Sequence, residues 1–261
     1  MLMLSGATEL KRAELAMIKT PEPTDTWRPL PHAEVVDCLT QKAAGMGLRV
    51  RNERFAVMPG ALYPEPNTRI EIPGARLFGT MDFEPVDGLD FPAGCLPSAG
   101  LRNSHDKSFA LSILSGARVL VCANGVLSAE HIITRKHTSG IDMLDCVDRA
   151  LVEFMVSIRG FKVAHDRLAG WRVGRAEAAD LVVEAARHGA FASSEIVPIL
   201  GEFEEPQHPE FKERTAWNLY QAATQIMKKQ SPARQFDGFK SLNEVFMPAP
   251  AVPQLELALV G

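Results

Sequence analysis

Seven polar residues in a row, Arg102-Asn103-Ser104-His105-Asp106-Lys107-Ser108, form the densest concentration of reactive side chains in the chain. They stand directly ahead of an apolar segment. Burying such a run is costly unless each group is paired or lies in a wet cleft. If residues 101–106 are extended, Arg102, Ser104 and Asp106 share one face, and Asn103 and His105 share the other. A second polar cluster follows at Cys122-Ala123-Asn124-Gly125 and Arg135-Lys136-His137-Thr138. The plainer reading makes the first run a strand edge with its hydrogen bonds satisfied internally, Asn124-Gly125 a turn, and Arg135–Thr138 a solvated loop.

Three chemistries are open to these residues. A hydrolytic site would draw on His105, Asp106, Cys122 and His137, whose types also suit zinc. Their spacing matches no compact zinc pattern, so no metal is assigned. Ser104 and His105 cannot act as nucleophile and base, because neighbours on a strand point to opposite faces. Cys122, between Val121 and Ala123, reads more simply as a small core residue. No phosphate-binding glycine loop, dinucleotide fingerprint or H-E-x-x-H motif occurs, so no cofactor is expected.

The third chemistry is polyanion binding. Five Lys or Arg residues and two acids lie between Arg102 and His137. Arg102, Lys107, Arg118, Arg135 and Lys136 can hold phosphates, and Asn103 and Asn124 can add polar contacts. Aromatics for base stacking are few: Phe109 within the block, and Trp27 from outside it. The net charge of −4 means that binding to nucleic acid would depend on this local patch.

With 46% hydrophobic residues the chain can build a core of ordinary size. The four cysteines, Cys38, Cys95, Cys122 and Cys146, form no C-x-x-C pair, which fits a reduced, cytoplasmic setting. No stretch approaches the roughly 20 apolar residues of a membrane span, so no membrane partner is expected.

The elements that must position these residues follow from periodicity. Residues 1–30 read as a proline-rich arm, with Pro21, Pro23 and Pro29 breaking any helix. Residues 31–247 read as one α+β domain. Its first helix spans Pro31–Gly45, with Val35, Val36, Leu39 and Ala43 at helical spacing. Strands are expected at Leu48–Met58 and Arg76–Glu84, with loops at 59–75 and 87–100. Phe109–Leu114 and Ala117–Cys122 read as a central hairpin turning at Ser115-Gly116, buried on both faces. From Ile141 the period changes to that of a helix, through Leu144, Val147, Leu151, Phe154 and Ile158, with Ser139 as a candidate cap. Further helices are expected at Ala176–His188, Ser194–Phe203 and Phe211–Gln230. Thus a largely antiparallel sheet over 48–125 is packed by C-terminal helices over 140–230, and 248–261 forms a flexible tail.

The string LRNSHDKSFALSILSGARVLVCANG, the later RKHT and the late ERTAWNLYQAATQ resemble the phage- and plasmid-like domain of unknown function 932. The early PHAEVVDCLTQKAAGMGLRV fits the same family's opening. The resemblance extends over about residues 30–245. It implies a setting in phages, plasmids and integrated elements, and with it a DNA-binding role in single-strand handling or recombination. The family-like polar residues here are Arg102, Asn103, Ser104, His105, Asp106, Asn124, Lys136 and His137. The balance favours a non-enzymatic binding protein with DNA and further copies of itself as partners. A zinc-dependent hydrolase and a module that binds a host protein are the alternatives.

Overall fold

A computed structural model describes residues 7–65, 67–84, 88–120 and 124–247. Six strands form one antiparallel meander in sequence order: β1 (Thr8–Leu10), β2 (Val50–Leu62), β3 (Ile70–Phe83), β4 (Cys95–Ser104), β5 (Leu111–Val119) and β6 (Asn124–Arg135). The helices are α1 (Arg12–Leu15), α2 (His32–Gly45), α3 (Met143–Gly170), α4 (Arg175–Arg187), α5 (Ile196–Glu204), α6 (Ala216–Met227) and α7 (Pro232–Phe246). The chain is therefore α+β with its helices mostly C-terminal. Among the described residues no helix is long and apolar enough to cross a membrane.

Alternation along the strands creates two unlike faces. One carries Phe55, Val57, Leu77, Met81, Phe83, Ala99, Leu101 and Ile113, packed under α2 and α3. Gly79 allows this packing, since a Cβ there would lie 2.9 Å from the Phe55 ring and 3.0 Å from Leu101. A long helix covers this face because Val147, Leu151, Phe154 and Ile158 recur on one side of α3 and all are buried. Asp142 caps α3, accepting hydrogen bonds from the Leu144 and Asp145 amides. The cap expected at Ser139 therefore falls to a residue one turn closer.

The C-terminal helices form a second core around α6. Trp217, Leu219, Tyr220, Ala223 and Met227 are buried there, and Tyr220 donates to Asn243 Oδ1 at 2.9 Å. Burial pushes the Tyr220 phenol up from its ordinary value. A helix buried all round, as α6 is, anchors the layer rather than facing solvent.

Several expectations change. Ser115-Gly116 is not a turn: β5 runs unbroken through it, with a register shift against β6 at Leu114/Ser115. The irregularity lies on the β6 side, where three residues separate Ile132 and Ser128, the partners of Leu114 and Ser115, so the small pair that mimicked a hairpin signal sits inside one strand. β5 pairs with β6 as far as Leu111 opposite Arg135, so the sheet extends beyond 125 to that residue. The predicted loop over 59–75 is largely strand, β4 begins at Cys95 inside the loop expected over 87–100, the helix expected at Phe211–Gln230 is the shorter α6, and a further helix, α7, follows it. The N-terminal segment is tied to the body: β1 pairs with β2, and Trp27 bridges to Thr138.

Candidate nucleic-acid interface

The two polar clusters meet at one end of the sheet. Leu111 of β5 pairs with Arg135 of β6, and Arg102 of β4 lies opposite Ser112 of β5. The Arg28 amide donates to the His137 carbonyl at 3.0 Å, stitching the N-terminal segment to the end of β6.

Beneath this end lies a buried polar pin. The Leu30 carbonyl accepts from Asn103 Nδ2 at 2.7 Å and from His105 Nε2 at 2.9 Å. Asn103 Nδ2 also reaches His32 Nδ1 at 2.9 Å, and His32 Nε2 donates to the Gly74 carbonyl at 3.0 Å. Thus Asn103 and His105 share a side, as alternation predicts. Burial drives all three imidazoles toward neutrality: His32 to about 3, His137 to about 4, and His105 down from its ordinary value. Asn103 Oδ1, His105 Nδ1 and His137 Nε2 are buried without a hydrogen-bond partner among the described residues.

This environment bears on the hydrolytic reading. His32, His105 and His137 are buried, so none presents a ring nitrogen to a solvent-borne substrate. The Asp106 carboxylate accepts from Arg76 Nε at 2.7 Å and from the Ser108 amide at 3.1 Å. Gly60 makes room for it: a Cβ there would collide with Asp106 Oδ2. Cys122 lies outside the described residues. Among those described, no group of three or more His, Cys, Asp or Glu side chains is placed to hold a metal ion.

The sheet face opposite α2 and α3 has the other character. Register places Arg54 of β2, Arg76 of β3, Arg102 of β4 and Arg118 of β5 on it, one from each of four successive strands. Their side chains are 32%, 36%, 16% and 26% exposed, respectively. Each has a carboxylate partner: Glu9, Asp106, Asp237 and Asp82. Two of those partners, Asp82 and Asp106, have buried carboxylates and act as fixed braces. Asp82 is further held by Ser98 and by Asn52 Nδ2 at 3.0 Å. Between the arginines lie Thr80, Ser98, Gly100, Ser112 and Gly116, together with the buried side chains of Phe78 and Leu114. Phe109 is half-buried at the near end. It lies against Phe78 at 5.4 Å, with the Arg102 guanidinium 5.2 Å from its ring centre.

The expected cations divide between two places. Arg102 and Arg118 share the arginine face but sit near opposite ends of it, about 20 Å apart along six residues of strand. Lys107, Arg135 and Lys136 are exposed beyond the near end. Lys107 adopts a left-handed backbone, φ 62°, and its ammonium lies 4.8 Å from the Trp27 ring centre. Asn124 pairs with Val119, at the far end with Arg118. Five cations therefore do not line one short groove. Sequence reasoning missed Arg54, Arg76 and His32. The alternating charges of β2 and β3 were visible, but the register that aligns them with Arg102 was not.

A family model for a domain of unknown function, DUF932, matches residues 97–245. That span covers more than half of the chain. The chain belongs to the DUF932 family. The match starts in β4, so the early resemblance in α2 and β2 lies outside it. In this DUF932 domain the matched span contains the polar run, Arg102, Arg118 and the helical layer, whereas Arg54 and Arg76 precede it. No curated protein and no solved structure matches the chain.

Proposed function

We propose that this DUF932 domain binds single-stranded nucleic acid across its arginine-bearing sheet face. The observation that carries this reading is the placement of Arg54, Arg76, Arg102 and Arg118 on one face of four adjacent strands. A planar guanidinium offers a fixed fork of donors to phosphate oxygens, and a carboxylate brace holds that fork in place. Three inter-strand steps span about 14 Å, and the arginines spread over roughly 25 Å along the strands, a track suited to an extended backbone.

Single strands fit better than duplex. A broad sheet cannot enter a duplex groove, whereas unstacked bases can lie on an aromatic ring. Phe109 supplies that ring, already stacked with a guanidinium. Lys107, Arg135 and Lys136 extend the positive surface past the near end. A place in single-strand handling or recombination on phage or plasmid DNA is the setting we propose for this activity, without catalysis by the domain itself.

Filter binding of matched single- and double-stranded oligonucleotides at low salt tests it. Tighter retention of the single strand is the expected result. Equal or absent retention of both would remove this reading, and binding only to a host protein would replace it.

A further inference from the structure

Helix α3 has a second periodic face. Its inner side packs on the sheet, yet Asp145, Arg149, Val152, Val156, Arg159, Val163 and Asp166 recur at alternating spacings of four and three along its outer side. All seven are exposed or partly so, and the three valines are 56%, 53% and 73% accessible. Alternating four-and-three spacing is the seam of a coiled coil, and β-branched residues suit it. A solvated helix face has no need to repeat valine along that line.

We infer that α3 pairs with α3 of a second copy of this chain, antiparallel, about a two-fold axis between Val156 and Arg159. The charges on the seam select that orientation. A parallel pair would set Arg149 on Arg149, Arg159 on Arg159 and Asp166 on Asp166. The antiparallel pair sets Val152 on Val163 of the second copy and Arg149 on its Asp166, and each contact recurs by symmetry. Arg159 lies over the second copy's Val156, where its aliphatic stem covers the methyl groups. Arg149 already bonds Asp145, and Asp166 bonds Lys162 and His165, but exposed pairs of this kind exchange at little cost. A helix of 28 residues is about 42 Å long, enough to build an interface of ordinary size with its flanks. Because α3 covers the other side of the sheet, the two arginine faces would point outward, back to back, as separate platforms.

Light scattering of the full chain during gel filtration tests the pairing. The expected mass is twice that of the chain, falling to the single-chain mass in V156E/V163E, with an unchanged circular dichroism spectrum. R149D and D166R should each weaken the dimer, and the two together should restore it. Orientation is read by oxidation: V152C/V163C should give a cross-linked dimer above the background of the unsubstituted chain, and V163C alone should not. A single-chain mass at every soluble concentration, or cross-linking through V163C alone, would overturn the inference. Neither outcome bears on whether the sheet face binds nucleic acid.

Discussion

The rings of His32 and His105 stack with their centres 3.8 Å apart and their planes 4° from parallel, and burial keeps both uncharged. Two imidazolium ions could not share that position without strong repulsion. The stack joins the start of α2 to the end of β4 and so holds the near end of the sheet together. His137 lies close enough that His105 lowers its affinity for a proton further.

Acid should therefore loosen this end. The native imidazoles titrate below the ordinary value near 6.5, with His32 at about 3 and His137 at about 4. The unfolded chain takes up these protons first. Stability is complete above about pH 6.5 and declines as pH falls from there toward the native values. Every tenfold difference in proton affinity between the folded and unfolded chain corresponds to about 1.4 kcal/mol. Urea denaturation between pH 7 and pH 5 should show a falling midpoint, with a shallower fall in H105Q. A midpoint independent of pH over that range would contradict the neutral stack.

Gly60→Ala should destabilise by about 1–3 kcal/mol, the ordinary cost of overpacking. The new methyl would strike Asp106 Oδ2, displacing the carboxylate that braces Arg76. Thermal unfolding reads the change. A Tm equal to that of the unsubstituted chain would mean that Asp106 is not seated there.

Asp82→Ala should cost more than Arg118→Ala. Removing the buried carboxylate leaves Arg118, Ser98 and Asn52 without their shared acceptor, and a buried donor left unmet costs about 1–3 kcal/mol. Arg118 is partly exposed, so its loss is cushioned by water at the open side. A double-mutant cycle by urea denaturation should return a coupling well above that of a surface pair. Additive effects would place the two groups apart.

Periodicity made the sheet-then-helix order readable, because an apolar stripe such as Val147, Leu151, Phe154 and Ile158 has one physical solution. The central hairpin was misread for an equally physical reason. Ser115-Gly116 has turn chemistry, but an apolar run buried on both sides of it also fits one continuous strand. Local signals cannot separate those cases. The meeting of Arg102 with the Arg135 end was legible as two polar runs flanking one apolar block. His32 was not, since its partners Gly74, Asn103 and His105 lie tens of residues away and nothing local marks it. Arg54 and Arg76 were hidden similarly: a one-residue change of register would have put them on the opposite face.

The salt dependence of single-strand binding tests the arginine face most directly. Each phosphate neutralised on a single strand contributes about −0.7 to the slope of log K against log salt. Arg54 and Arg102 pair with exposed carboxylates, Glu9 and Asp237, but Arg102 also bonds Ser112 and covers the Phe109 ring, so R54Q/R102Q is compared at a temperature at which both proteins are folded. Its slope should be shallower than that of the unsubstituted chain by about 1.4. An identical slope in the two proteins would show that phosphates do not lie on this face.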